Sequence, residues 1–289
     1  MKVVLILLLS LYVSCESLIP FSQEDAILWW NYASSMPCSA SSITSLTCDS
    51  CQPFVNKLEN ITVIENPTTK VRSVVGIYNK EYIVVGYRGS TEFENWIHDI
   101  ASIMIGTMDG CPGNCKVALG FYDAYLSIKK QLLPHIQMLK QLFPNYKLFF
   151  TGHISLYIYI NYICALATVT VMDFLLNENI TTHSLYTYGS PYVGNSVFAS
   201  VFNKGPHTYY RITHYADPIV HLPPKSDKYE HVGEEVFYNK DSKFYKICLH
   251  PESSKCSNSV VLPTNFNDHF SYMNMQFSCP AAFYNHTII

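Results

Sequence analysis

The chain has 289 residues, 48% of them hydrophobic and only 14% charged, with a formal net charge of −3. It is long enough to bury a sizeable core and too apolar for a disordered chain. No basic run occurs, so a nucleic-acid partner has no electrostatic footing.

The N-terminus reads MKVVLILLLSLYVSC, with one Lys ahead of an apolar run and modest side chains leading to Cys15. The run is shorter than the roughly 20 residues a spanning helix needs. It is expected to be a secretory signal over residues 1–15, followed by a single domain over 16–289 in a secreted, extracellular protein. No second apolar segment has transmembrane length. Without Cys15, nine cysteines remain of the ten. Cys164 sits in an apolar run and is expected as a buried free thiol; the other eight fit four disulfides in an oxidising compartment. Cys111 is expected to pair with Cys115 across Pro112-Gly113, and Cys248 with Cys256 in a second local loop. Cys38, Cys48, Cys51 and Cys279 then supply two more bridges, in an order the sequence leaves open. Sequons begin at Asn60, Asn179 and Asn285.

In chain order, SQEDAILWWNYASSM has a helix pattern, with Ser22 as its N-cap and acids in the first turn. VRSVVGIYN and EYIVVGYRG are β-branched runs around Asn79-Lys80, which predicts a hairpin of core strands. FYDAYLSIKKQLLPHIQMLKQLF predicts a helix with Leu126, Leu133, Ile136 and Leu139 on its apolar face and Pro134 marking a kink. NYKLFFTG predicts a strand, ISLYIYINYICALATVTVMDFLL a long apolar helix and HSLYTYG another strand. GNSVFASVFNKG predicts a short helix. The runs at 208–217 and 231–239 predict late strands. Strands alternating with helices imply a largely parallel α/β sheet with helices on both faces.

Three stretches that follow strands or lie near the C-terminus hold candidate chemistry: YRGSTEFENWIHDI, YADPIVHLPP and NFNDHFSYM. Singly, each has a plain reading. Asp217 before a proline starts a turn, His269 beside Asp268 is a surface pair, and Ser90 is a loop hydroxyl. Together with the strand-loop-Ser at 148–155, they follow the chain order Ser, Asp, His of a hydrolase triad. A hydroxyl nucleophile needs a His base in reach, and that His needs a carboxylate on its other nitrogen.

With these stretches the chain resembles the class 3 lipase family, the fungal-lipase-like α/β-hydrolases, and in particular secreted nematode-type members. The resemblance runs from about Val71 to Tyr272. It implies Ser155 as nucleophile, Asp217 as orienting acid and His269 as base. It further implies an oxyanion hole from Ser90 and the amide of Leu156, and a lid carrying Trp96. CPGNCKVALGFYDAY is similar to the family's cysteine loop and Val-His-x-Gly-Phe turn, with Ala118 in place of the His. YTYGSPYVGN is similar to the strand and turn after the nucleophile helix. The implied substrate is a lipid ester, met at a lipid–water interface, and the chemistry calls for no metal or organic cofactor.

One segment departs from the pattern. The family's Gly-His-Ser-x-Gly-Gly stands here as Gly152-His153-Ile154-Ser155-Leu156-Tyr157. The residues two before and two after Ser155 are then His153 and Tyr157, where the strained elbow calls for small side chains. The following Ile- and Tyr-rich run is about one helical turn longer than the family's. Either the elbow has been lost or the run is intron read as exon. A catalytically inactive homologue that binds lipid or a protein partner through the same cleft is the competing reading.

Overall fold

In a computed structural model the chain is described over residues 19–88, 105–153, 163–224 and 228–279. Eight strands make one sheet: β1 (Leu58–Glu65), β2 (Arg72–Tyr78), β3 (Tyr82–Arg88), β4 (Lys147–His153), β5 (Ser184–Tyr188), β6 (Thr208–His214), β7 (Glu234–Tyr238) and β8 (Tyr245–Cys248). They lie side by side in chain order. Pairings from β3 through β7 are parallel, while β1–β2–β3 and β7–β8 are antiparallel. The parallel strands therefore share one carboxyl end, where the loops leave the sheet.

Residues of β3 alternate between the two faces. Ile83, Val85 and Tyr87 enter one apolar cluster and Val84 the other, as the two-residue period of a strand requires. Helices α2 (Leu119–Leu142), α3 (Ile163–Asp173) and α4 (Ser196–Phe202) fill the first face. Helix α1 (Gln23–Ser35) covers the second with Trp29, Trp30 and Tyr32, and Trp29 stacks on Phe149 of β4 with centroids 4.1 Å apart. Ser22 caps α1 as the sequence predicts, its hydroxyl accepting from the Asp25 amide at 3.2 Å.

Several expectations need correction. Helix α2 includes Pro134 as expected, but its buried face is Phe121, Tyr125, Ile128, Leu132, Ile136 and Leu139. Leu126 is 39% exposed and Leu133 only half-buried, because the aromatic residues of the first turns set the helical phase one residue away. The long apolar helix ends as an α-helix at Asp173 and continues as a π-turn over Phe174–Glu178. Its first part, the side chain of Cys164 and the signal segment lie outside the described residues. Strands β1 and β8, which the sequence did not reveal, are the sheet's edges. They lack a fully buried face, and β1 is interrupted by a bulge between Glu59 and Thr62 with Asn60 at positive φ.

The four disulfides are Cys38–Cys279, Cys48–Cys51, Cys111–Cys115 and Cys248–Cys256. Cys111–Cys115 and Cys248–Cys256 are the expected bridges, and the other four cysteines supply two more as expected. Cys38–Cys279 ties the chain beyond α1 to the segment that follows His269, closing 241 residues of sequence.

Arg211 of β6 and Glu235 of β7 face each other in register, both fully buried, with an N–O distance of 3.2 Å. Glu235 also accepts from the Thr213 hydroxyl at 2.7 Å and the Ser257 amide at 3.1 Å. Removing one partner of a buried pair strands the other charge, at about 3–5 kcal/mol. Glu235→Ala is accordingly expected to lower the urea midpoint sharply, and an unchanged midpoint would show the guanidinium to be solvated in some other way.

His207, at the start of β6, has its pKa pushed down to about 4 by burial. Its folded value lies below the ordinary 6.5, so the neutral ring's contribution to stability is complete above about pH 6.5. That contribution is lost progressively as pH falls toward about 4. The urea midpoint of His207→Gln should therefore depend less on pH across this window than that of the parent chain; equal slopes would contradict the assignment.

Candidate active site

The turn after β6 carries Asp217. The backbone bends so that the Asp217 amide donates to the His214 carbonyl at 3.0 Å, which points the carboxylate across the carboxyl end of the sheet. Its Oδ1 accepts from the Ile219 amide at 2.8 Å. Its Oδ2 accepts from Nδ1 of His269 at 2.8 Å and from the Tyr272 hydroxyl at 2.9 Å. Asp217 and His269 are both fully buried, so water does not compete for these bonds. All three donors are met by acceptor oxygens of the one side chain, and a proton on Nδ1 for the bond to Oδ2 leaves Nε2 with the free lone pair.

His269 ends the short helix α5 (Phe266–His269), capped by the Asn265 side chain. That helix is sewn to the Asp217 turn. The Asn265 amide donates to the Ala216 carbonyl at 3.0 Å, and the Ala216 amide donates to Asp268 Oδ2 at 2.9 Å. Asn265 Nδ2 donates to Asp268 Oδ1 at 2.7 Å. Asp268, which on sequence could be a surface group, is thus a buried bracket.

Gly189 forms the floor under the imidazole. It sits at φ +66°, and a Cβ there would lie 2.6 Å from His269 Cε1 and 2.8 Å from the Tyr272 hydroxyl. Only glycine meets both demands, which explains the Gly-Ser-Pro turn after β5.

His153, the last residue of β4, stacks on His269 with ring centroids 4.9 Å apart and is itself fully buried. Burial, with a smaller contribution from the His269 charge, holds its pKa well below the usual imidazole value. It is therefore neutral, with its proton on the nitrogen that donates to the His269 carbonyl at 2.8 Å.

At the end of β3, Glu65 bridges Arg72 and Arg88. Arg88 Nη2 lies 3.0 Å from Oε1, and Arg72 Nε lies 2.6 Å from Oε2. Burial opposes the Glu65 charge, but the two guanidiniums outweigh it and hold the carboxyl below its ordinary pKa. The cluster fixes the strand end immediately before Ser90.

Of the residues named from sequence, Asp217 and His269 are brought together. Ser155, Leu156, Ser90 and Trp96 lie outside the described residues. Sequence reasoning missed Tyr272, Gly189, His153 and His214 as site components. Tyr272 lies in the quoted DHFSY and Gly189 in YTYGSPY, so both were in view without a role.

A mostly parallel sheet with helices on both faces, with Asp217 and His269 meeting at the carboxyl end of its strands, has the α/β-hydrolase fold. Solved lipases share it. The crystal structure of a lipase from Rhizopus microsporus var. chinensis superposes with a TM-score of 0.75 at 25% identity, over 90% of each chain. A triacylglycerol lipase whose catalytic centre is formed by a serine protease triad superposes at 0.73 and 26% identity, over 89% of this chain and 97% of that one. In sequence, the family described as Lipase (class 3) matches residues 84–227. A lipase of Rhizomucor miehei is 31% identical over 199 residues, 68% of this chain and 53% of the relative. A secreted mono- and diacylglycerol lipase of Fusarium solani is 34% identical over 158 residues, 55% of this chain and 44% of the relative. The chain belongs to the class 3 lipase family. It spans about half the length of the curated relatives it matches.

Proposed function

We propose that this protein is a secreted, lipase-like carboxylic ester hydrolase. In this reading Ser155 is the nucleophile, His269 its base and Asp217 the acid that orients His269. Ser90 and the Leu156 amide stabilise the oxyanion, and Trp96 belongs to a lid. The observation that carries the reading is the buried 2.8 Å bond between Asp217 Oδ2 and His269 Nδ1, in the fold of a lipase. His269 Nε2 would take the serine proton as Oγ attacks the ester carbonyl, then return it to the leaving alcohol. Acylglycerols are the substrate class, by similarity to the mono- and diacylglycerol lipases and the triacylglycerol lipase above. No helix among the described residues is long and apolar enough to cross a membrane. The test is turnover of emulsified mono-, di- and triacylglycerols by the chain, by its Ser155→Ala variant and by a version with a restored Gly-His-Ser-Leu-Gly-Gly elbow; turnover by the restored version is expected, and none by any of the three would contradict the reading.

A second reading is favoured by one observation, the sequence Gly152-His153-Ile154-Ser155-Leu156-Tyr157. With no small residue flanking Ser155 at either side, the chain would retain the cleft and bind lipid or a partner without turnover. Equal, saturable binding of a non-hydrolysable ether lipid with no product from the ester would favour that reading.

The proposed secretion also makes two sequons accessible for N-linked glycans. Asn60 and Asn179 are exposed, and both have positive φ. Asn60 lies near the start of β1, opposite the end of β2 that turns into β3, and Asn179 ends the π-turn ahead of β5. Both lie at the amino end of the parallel strands, away from Asp217 and His269. Protein from a eukaryotic secretory host should lose mass on treatment with an N-glycosidase, by one glycan less in Asn60→Gln and one less in Asn179→Gln. No change in either variant would refute these sites.

A further inference from the structure

The base of this site stands on very little regular structure. His269 closes a helix of four residues, and its ring direction depends on the backbone of that short element. Two buried histidines hold that backbone from below. His153 Nε2 donates to the carbonyl of His269 at 2.8 Å, and His214 Nδ1 donates to the carbonyl of Asp268 at 2.9 Å. The two carbonyls are consecutive. The two donors come from the last residues of β4 and β6, whose positions are fixed in the sheet by pairing with Tyr188 and Tyr238.

We infer that His153 and His214 are positioning residues that aim the His269 imidazole by gripping the two consecutive backbone carbonyls of Asp268 and His269. The inference rests on the reading of His269 as the base.

The carbonyl bond accounts for a histidine at each position. Nδ1 of His153 is buried and has no hydrogen-bond partner among the described residues, a costly arrangement that a phenylalanine would avoid. What a phenylalanine cannot supply is the Nε2–H. His153 also stacks against the base it holds, 4.9 Å between centroids, so one side chain constrains both the ring and its backbone. For His214, Nε2 faces the Ser242 hydroxyl at 3.1 Å and the Lys240 carbonyl at 3.2 Å. Nδ1 faces a carbonyl, which can only accept, whereas Nε2 can itself accept from the Ser242 hydroxyl; the proton on Nδ1 therefore satisfies both ring nitrogens. The ring of Tyr272 packs against both histidines, at 5.7 and 5.9 Å, while its hydroxyl reaches Asp217. Acid and base are thereby held against one aromatic wedge.

The experiment reads the base directly, without ester turnover. In proton NMR of the full chain, the Nδ1–H of His269 bonded to Asp217 should give a low-field resonance. His153→Phe and His214→Phe keep a ring and delete the donor; each should shift or broaden that resonance. His153→Gln and His214→Asn place an amide N–H near the lost one, and should restore it. If the Phe variants fold and leave the resonance unchanged, or if the amide variants fail to restore it, the proposal is overturned. Should the Phe variants fail to fold, the parent chain decides: with nitrogen-labelled histidine, Nε2–H of His153 and Nδ1–H of His214 must appear as slowly exchanging ring protons. Their absence overturns the proposal and their presence supports it. In a version with a restored elbow, the Phe variants should lower kcat by roughly tenfold to a hundredfold with KM little changed. A normal resonance pattern without any ester turnover would count against the proposed function while leaving the positioning role intact.

Discussion

Replacing residues 152–157 with Gly-His-Ser-Leu-Gly-Gly, and deleting one helical turn from the run that follows, is expected to raise ester turnover by several orders of magnitude. A nucleophile elbow places its serine on a tight strand-to-helix turn, and a side chain of any size two residues away on either side obstructs the close approach of strand and helix. Here those neighbours are His153 and Tyr157. Read in the other register, the nucleophile position is Ile154, which has no hydroxyl. The members of a triad act as a unit, and losing the unit removes around six orders of magnitude in turnover. The unrepaired chain should therefore hydrolyse a short-chain ester near the residual level, and Ser155→Ala should change that level little. Robust turnover that disappears in Ser155→Ala would show that the elbow tolerates Tyr157.

Exchanging Asp217 for asparagine in the repaired chain is expected to lower kcat by about four orders of magnitude. The buried carboxylate accepts from His269 Nδ1 at 2.8 Å, the Tyr272 hydroxyl at 2.9 Å and the Ile219 amide at 2.8 Å. An amide in its place turns one acceptor into a donor. Facing Nδ1, that donor favours the tautomer with the proton on Nε2, the nitrogen that has to receive the serine proton. Geometry would be kept and the base lost, so KM should move far less than kcat. A fall of tenfold or less would mean that Asp217 only shapes the turn. Tyr272→Phe removes a single hydrogen bond to the same oxygen and should have a much smaller effect.

How far the sequence disclosed this arrangement differed from residue to residue. The hairpin around Asn79-Lys80 and the strands β4 to β7 were legible because their apolar runs are continuous, as strands buried on both faces must be. Asp217 and His269 were legible through short neighbouring motifs, ADPIVHLPP and DHFSY. The edge strands were not, since β1 contains a bulge and β8 has mostly exposed residues. On α2, Leu126 and Leu133 misled because aliphatic residues were allowed to set the phase, while Phe121 and Tyr125 occupy the buried face beside Ile136 and Leu139. His153, His214 and Gly189 were hidden for a different reason. Their importance comes from contacts with a segment more than fifty residues further along the chain, and no local pattern announces that.

The central claim, that Asp217 and His269 serve a serine nucleophile, is tested most directly by the intact mass of the repaired chain after exposure to diethyl p-nitrophenyl phosphate. The serine Oγ would attack phosphorus, its proton would pass to His269, and p-nitrophenolate would leave. The account predicts one diethylphosphoryl adduct, on the restored elbow serine, formed rapidly in the repaired chain and lost in its His269→Ala variant. No adduct, or one that forms just as fast without His269, would contradict it.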